Sequence, residues 1–367
     1  MSADLHLRLN RATAGVRDRL ATPALVIDLD AVRHNIAAIV ARFGDRWRPH
    51  VKTLKQAAIF EQLFAAGVCT SKCATKGELD LVVETARRLG HRPDVLFAYP
   101  LHKQAFMGLA DELADPGISL QVLADSPAHL EALDQWACAL IDGGKLAKGT
   151  KVEVALDVDL GMHRTGTPPA AWMAARTRLG QLQALAIRGL HGYDGHLHWE
   201  DRYDAHAGYD ALCELALCLP EQVRSPAFEL VTSGTHSYVH ALNHPGLACG
   251  KWRHQVSPGT IILSDRRSHR AAADLGLRQA AFVASRVISS DNHARLTLDA
   301  GSKGIAPDCP PPTCSILGWP HLRPGSPSEE HLPVAIGAQP APAFGELCWL
   351  IPEHVCTTVN LYRRALL

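Results

Sequence analysis

The chain has 367 residues, 47% hydrophobic and 20% charged, enough to bury one large core or a barrel with a smaller domain beside it. Its 37 basic residues balance 37 acidic ones, which excludes the electrostatic footprint of a nucleic-acid binder or of a protein that coats an anionic membrane. The start Met1-Ser2-Ala3-Asp4-Leu5-His6 lacks the basic and apolar regions of a signal peptide, and no run of about 18 apolar residues occurs, so a cytoplasmic protein is expected.

In chain order, residues 1–21 read as a polar helix from Leu5 to Leu20, followed by the apolar run Ala24-Leu25-Val26-Ile27 and a helical pattern through Ile36, Ile39 and Val40. Short β-rich runs then recur at His50–Lys52, Val68–Ser71, Val95–Tyr99, Ser119–Ala124, Lys151–Asp157, Ile187–Gly192 and Phe228–Thr232. Between them lie helical patterns at Gln56–Ala66, Lys76–Leu89, His102–Leu113, Pro127–Leu140, Ala170–Leu179 and Tyr203–Leu217. This alternation predicts the α/β class: a parallel sheet with helical crossovers, closed as a (β/α)8 TIM-like barrel over residues 23–265. Ala24–Asp28 and Gly259–Leu263 are both candidates for its eighth strand. After Asp265 the helices stop. Ala281–Ile288, Ala294–Leu298, Leu332–Ile336 and Cys348–Ile351 are strand-like, and prolines crowd 307–327. A C-terminal mostly-β domain over 266–367 is expected, with residues 1–22 as a candidate addition to it. The competing architecture, an open doubly wound sheet, lacks a Gly-x-Gly-x-x-Gly after its first strand.

Chemistry-bearing residues fall where strands end, the reactive end of a barrel. Arg48-Pro49-His50-Val51-Lys52-Thr53-Leu54-Lys55 brings a lysine to the end of the first run. Partial dehydration there would disfavour the ammonium and leave an amine able to form a Schiff base, although solvated strand-end lysines are commoner. Val231-Thr232-Ser233-Gly234-Thr235 is a small-residue turn opening a helical segment, suited to a phosphate or simply to a helix cap. In Asp157-Val158-Asp159-Leu160-Gly161-Met162-His163-Arg164-Thr165-Gly166 the guanidinium of Arg164 either meets an anion or pairs with Asp157 or Asp159. His191-Gly192-Tyr193-Asp194-Gly195-His196-Leu197-His198 offers an aromatic ring and groups that titrate near neutrality. In Pro352-Glu353-His354-Val355-Cys356, an extended backbone would put His354 and Cys356 on one face, able to share a tetrahedral metal. Ten cysteines and twenty histidines otherwise read as packing and surface groups.

These segments, with Thr22-Pro23-Ala24-Leu25-Val26-Ile27-Asp28 at the start and Leu298-Asp299-Ala300-Gly301-Ser302-Lys303 and Ser328-Glu329-Glu330-His331 before the tail, resemble one family along nearly the whole chain. It is the D-threonine aldolase and D-serine dehydratase branch of the pyridoxal-phosphate enzymes with an alanine-racemase-like (fold type III) barrel. The family usually reads His where this chain has Leu54. The resemblance implies that Lys52 is the Schiff-base lysine. By the same resemblance Ser233, Gly234 and Thr235 hold the cofactor phosphate, with Gly259 in Ser257-Pro258-Gly259-Thr260 as the second half of the cradle. Arg164 and Tyr193 flank the pyridoxal ring, and His196 is a candidate general base. The tail Pro-x-His-x-Cys-x-Thr-Val-Asn-Leu makes His354 and Cys356 metal ligands, with zinc favoured by the soft thiolate.

The activity implied is retro-aldol cleavage of D-threonine-like substrates to glycine and an aldehyde, for which the Thr-Val-Asn-Leu-Tyr context speaks. A cysteine ligand speaks for the alternative, dehydration of D-serine-type substrates to a 2-oxo acid and ammonia. An amino-acid racemase and a non-catalytic pyridoxal-phosphate carrier are more distant alternatives. A homodimer is the expected assembly.

Overall fold

Strands buried on both faces read as unbroken apolar runs, and Val95-Leu96-Phe97 and Val122-Leu123-Ala124 do so here because helices cover a parallel sheet from outside. The computed structural model describes residues 2–221, 224–292 and 295–367. It divides into two units, Ile39–Gly259 and the chain up to Ala38 with Thr260–Leu367.

After β1 (Ala24–Ile27), which belongs to the second sheet, seven parallel strands among the described residues pair in chain order. They are β2 (Thr70–Cys73), β3 (Asp94–Pro100), β4 (Ser119–Ala124), β5 (Val152–Asp157), β6 (Leu185–Gly192), β7 (Arg224–Thr232) and β8 (Arg253–Val256). The expected strand His50–Lys52 is not one. Trp47–His50 instead bridges both edges of the sheet: Arg48 N–H donates to Val256 O at 3.0 Å, His50 N–H to Ser257 O at 3.3 Å, and Lys72 N–H to Pro49 O at 2.9 Å. Pro49 has no N–H to extend that ladder, and Val51–Thr53 coils into a 3₁₀ turn. The TIM-like barrel therefore closes through a segment too short to be a strand. Gly259–Leu263, one candidate for the eighth strand, contains the 3₁₀ turn Thr260–Ile262 instead.

Helix starts follow from capping. Thr75 accepts from Glu78 N–H while the Glu78 carboxylate accepts from Ala74 N–H, a reciprocal cap that opens the helix Lys76–Leu89, and Gly90 closes it in the left-handed region. Ser126 caps Pro127–Asp142 in the same way.

The barrel interior is layered because side chains alternate along each strand. In one layer the fully buried Arg48 donates to Gln255 Oε1 at 2.8 Å, to both Asp94 oxygens at 3.2 and 3.1 Å, and to both Glu229 oxygens at 3.0 Å. Arg188 joins it through Glu153 at 2.7 Å and Asp94 at 2.5 Å. Burial alone would raise the Asp94 pKa, but Arg48 and Arg188 outweigh it and hold the carboxyl below its ordinary value. Two residues further along, Leu96, Leu123, Ala155 and Val231 form an apolar layer. Asp157, two beyond Ala155, faces the same way at the end where the strands finish.

In the other unit β1 runs antiparallel to β9 (Ala281–Asn292), which is why Ala24–Asp28 is not a barrel strand. The sheet continues through β10 (Arg295–Leu298), β11 (Cys314–Ile316), β12 (Arg323–Pro324), β13 (Leu332–Ala335) and β14 (Leu347–Pro352) in the order β11-β14-β9-β10-β13-β12, and β15 (Ala365–Leu366) pairs parallel with β1. This is the expected β-rich region, though Ala294, the first residue of one expected strand, lies outside the described residues. The first helix is Ser2–Ala12, shorter than expected, and Trp349 Nε1 donates to its Asn10 Oδ1 at 3.0 Å. The two landmark segments pack together, Ser302 N–H donating to Ser328 O at 2.7 Å and Lys303 N–H to Glu329 O at 3.0 Å. Among the described residues no helix is long and apolar enough to cross a membrane.

Candidate functional site

Two lysines approach the C-terminal end of the barrel strands. Lys52 lies in the 3₁₀ turn Val51–Thr53 and is exposed, not half-dry as its expected strand-end position suggested. Leu54, where the family usually has His, is buried in the core. The dry lysine is Lys72 on β2, 2% exposed, its Nζ 3.2 Å from His191 Nε2 and 5.3 Å above the Tyr193 ring. Burial first, and then the charge of Lys52, lowers its pKa to about 7 although Asp157 and Asp194 pull the other way. His50, bridged to Lys72 in the backbone, is held well below the ordinary histidine value by burial and by the same two ammonium groups.

The loop after β5 folds around Asp159. Its Oδ1 accepts from Gly161 and His163 N–H at 3.0 Å and its Oδ2 meets His163 Nδ1 at 2.8 Å. Gly166 closes the loop at φ +89°, where a Cβ would come within 3.0 Å of the Asp159 nitrogen. Neither carboxylate takes Arg164: Asp159 is engaged by His163, and Asp157 Oδ1 by His191 Nδ1 at 2.7 Å. Arg164 instead sets its guanidinium 5.0 Å from the Tyr193 ring centroid. Lys72, Tyr193 and Arg164 are thus gathered at one place, with His191 and Asp157 behind Lys72. His196 is exposed, and its Nε2 would be 3.3 Å from a Cβ on Gly161.

Past β7, Ser233 takes a left-handed φ of 56° and is buried, its Oγ without a partner among the described residues. Ser257 is also buried with an unpartnered Oγ, and its N–H donates to Thr232 O at 3.1 Å, so the two hydroxyls stand at neighbouring strand ends. Gly234 lies against Tyr193, its N–H donating to Ser237 Oγ at 3.2 Å, and Thr235 is half-buried in the same turn. The helix expected to open here starts only at Tyr238 and is one turn long, so side-chain hydroxyls rather than a helix dipole are what this turn offers. Asp194 braces it, accepting from Ser237 Oγ at 2.6 Å and Tyr209 OH at 2.5 Å. Gly259 serves a steric purpose: a Cβ there would stand 1.9 Å from His50 O. Two orphaned buried hydroxyls beside cations and an aromatic face fit an anionic aromatic cofactor such as pyridoxal phosphate.

In the other unit β14 ends at Pro352, and only His354 keeps the extended backbone expected for the tail; Cys356 lies in the short helix Val355–Val359. The pair still meets. Hydrogen bonding with Cys356, more than burial opposes it, and then Asp308 raise His354 to about 9. Asp308 Oδ2 lies 2.5 Å from His354 Nδ1, its Oδ1 accepts from Thr357 Oγ1 at 2.9 Å, and Cys356 Sγ lies 2.9 Å from Thr260 Oγ1. Donor atoms of Asp308, Cys309 and His354 lie within 4.8 Å of one another. A 2.5 Å contact is a hydrogen bond, shorter than the roughly 3 Å between two ligands of one zinc with bonds of about 2 Å. Asp308 therefore orients His354 through Nδ1 and leaves Nε2 as the nitrogen a metal would take, with Cys356 as its partner. His, Cys and carboxylate donors fit zinc.

Lys72 and Asp308 lie outside the motifs read from the sequence, whereas Asp157, His191, Asp194 and Ser257 stand inside them without having been given these contacts. For Lys72 a signal existed: a lysine in a short strand pattern just ahead of the capping sequence Thr75-x-x-Glu78 is out of place unless it points into a barrel.

Residues 27–262 match the family model of the alanine racemase N-terminal domain, and residues 280–367 that of a putative serine dehydratase domain. The chain is 26% identical over 358 residues to a D-threonine aldolase of Arthrobacter sp., covering 94% of this chain and 88% of that one. Over 150 residues, 40% of this chain and 36% of the relative, it is 30% identical to D-threo-3-hydroxyaspartate dehydratase of Delftia sp. strain HT23. The crystal structure of a D-threonine aldolase from Filomicrobium marinum superposes with a TM-score of 0.78 at 23% identity, covering 94% and 90% of the two chains.

Proposed function

The chain belongs to the family of the alanine racemase N-terminal domain, and from that membership we propose that it is a pyridoxal-phosphate- and metal-dependent lyase of D-β-hydroxy amino acids, cleaving D-threonine-like substrates to glycine and an aldehyde. The observation that carries the choice of a lyase over a racemase or a cofactor carrier is the pair His354 and Cys356 with Asp308 behind it, a donor set that neither alternative requires. Pyridoxal phosphate supplies an electron sink for charge at Cα, and a divalent ion lowers the pKa of a hydroxyl bound to it.

The residues divide that work. Lys52, on an exposed turn, offers its Nζ to the cofactor aldehyde. Ser233 and Ser257 turn their orphaned hydroxyls to the phosphate, with Gly234 and Thr235 completing the turn and Gly259 keeping the His50–Lys52 segment close. Tyr193, with both Lys72 and Arg164 against its ring, offers an aromatic neighbour to the cofactor ring. His196, exposed in the loop after β6, is the candidate that takes the β-hydroxyl proton. His354 Nε2 and Cys356 Sγ hold the metal. Zinc as that ion, a homodimeric assembly and a cytoplasmic location are parts of the same proposal, and the Cys356 thiolate supports the first.

A second reading has its own support. A cysteine donor, the likeness of residues 280–367 to the putative serine dehydratase domain, and the Delftia relative favour loss of the β-hydroxyl over Cα–Cβ scission. Product analysis of the cofactor- and zinc-loaded protein decides between them. Glycine and acetaldehyde from D-threonine support the aldolase; ammonia and a 2-oxo acid from D-threonine or D-serine establish the dehydratase.

A further inference from the structure

A large concavity lies outside the groups assigned to cofactor and metal. Within the unit that carries the second sheet, a cavity of about 1060 Å³ is walled by the helix Ser2–Ala12, the short helix Arg266–Ala271, the stretch 276–279 and the chain from β11 to β12. None of the residues named above for the cofactor or the metal lines it. It is large enough for a small organic molecule and far larger than an inorganic anion fills.

The lining is charged one way. Arg8, Arg266, Arg278 and Arg323 line the cavity together with two histidines, and among the described residues no carboxylate does. The four guanidiniums are unequally engaged. Arg8 pairs with Asp28, and Arg266 gives its Nε to Glu353 Oε2 at 3.0 Å. Arg323 donates from Nη1 to two backbone carbonyls, Pro320 O at 2.6 Å and Leu322 O at 3.2 Å, so its charge meets no anion. The Arg278 side chain is exposed and has no partner among the described residues, yet its backbone is pinned by the buried Asn35. Asn35 Oδ1 accepts from Arg278 N–H at 2.7 Å, and Asn35 Nδ2 donates to its carbonyl at 2.7 Å. Gathering uncompensated like charges around one hollow opposes folding, so a ligand is the economical reason for it. Trp319, half-buried against the core of the second sheet, adds an aromatic wall.

We propose that this cavity binds a small organic phosphate that carries a flat ring, with Arg278 and Arg323 supplying the charge for the phosphate and Trp319 the surface for the ring. Guanidinium forks match phosphate oxygens in pairs, and an aromatic wall takes a planar ring of either of two sources, a nucleoside monophosphate or a pyridoxine-type phosphate. The site is separate from Lys52 and stands whichever reaction the protein catalyses.

The test is isothermal titration of cofactor-loaded protein with AMP, pyridoxine 5′-phosphate and inorganic phosphate at low ionic strength. Pyridoxine 5′-phosphate has no aldehyde and cannot join a lysine. One of the two ring phosphates is expected to bind at least about tenfold more tightly than inorganic phosphate, and the tighter one identifies the source. Arg278→Glu and Arg323→Glu, both at exposed positions, should each weaken that binding by about 10–100-fold, the worth of one charge-assisted hydrogen bond, while the visible band of the bound cofactor stays unchanged. Equal binding of all three ligands, binding that both variants leave unaltered, or failure of all three to bind overturns the proposal. A lower mass of Arg278→Glu than of the parent in sedimentation also overturns it, because the cations then belong to a contact between copies of the chain.

Discussion

Asp308→Asn separates the two ways in which Asp308 can stand beside His354. The carboxylate reaches His354 Nδ1 at 2.5 Å and is itself held by Thr357, so its removal frees the ring to rotate without taking away a donor on the Nε2 side. Loss of such an orienting partner costs about 10–100-fold in metal affinity, or about 1.4–2.7 kcal/mol. A second effect opposes it. His354 is raised to about 9 by Cys356 and then Asp308, so at pH 7 a metal must displace a proton held about two units too tightly, an affinity penalty of about 100-fold that vanishes by pH 9. The parent protein should therefore bind zinc more tightly as pH rises from 7 to 9. Asp308→Asn, which lowers the His354 pKa, should show its full deficit at pH 9 and a smaller one at pH 7. Competition with a chromophoric chelator at the two pH values measures both. If Asp308→Asn abolishes binding at pH 9 as completely as His354→Ala, Asp308 is a direct ligand, and the set is Asp308, Cys309 and His354.

Three further outcomes follow from the barrel. Arg48→Met leaves the Glu229 and Asp94 carboxylates with Arg188 as their remaining buried cation and should destabilise the protein by about 3–5 kcal/mol in denaturant titration; a loss below about 1 kcal/mol would mean that Arg188 suffices or the network takes up water. Ser233→Ala removes a hydroxyl that has no partner among the described residues, so stability should hold while pyridoxal phosphate binds about 10–100-fold more weakly, the worth of one charge-assisted hydrogen bond, and equal binding would move the phosphate elsewhere. Gly259→Ala drives a methyl group to 1.9 Å from His50 O and should cost about 1–3 kcal/mol or more, together with cofactor occupancy, because the His50–Lys52 turn must shift; an unaltered variant would show that this turn is free to move.

The alternation of β-rich runs and helical patterns made the barrel legible, because each period reflects a face that must be buried. What the pattern missed were single-residue decisions. A proline in Arg48-Pro49-His50 turns the first strand into two backbone bridges, so Lys52 sits on an exposed turn. Ala24–Ile27 reads equally well as a strand of either sheet, and only its partner β9, more than 250 residues away, decides. The site was legible where backbone demands constrained the sequence, as in the Asp159–Gly166 loop and the Ser233 turn. It was illegible where a side chain acts through another, since Asp308 and His354 are 46 residues apart in sequence and Lys72 and His191 are 119.

The central claim is that Lys52, and not the buried Lys72, carries the cofactor. Borohydride reduction of pyridoxal-phosphate-loaded protein, followed by peptide mapping, fixes the cofactor to whichever lysine holds it. The account predicts the label on the peptide containing Lys52, with Lys72 unmodified. A label on Lys72 would contradict it and make the lysine with the lowered pKa the nucleophile.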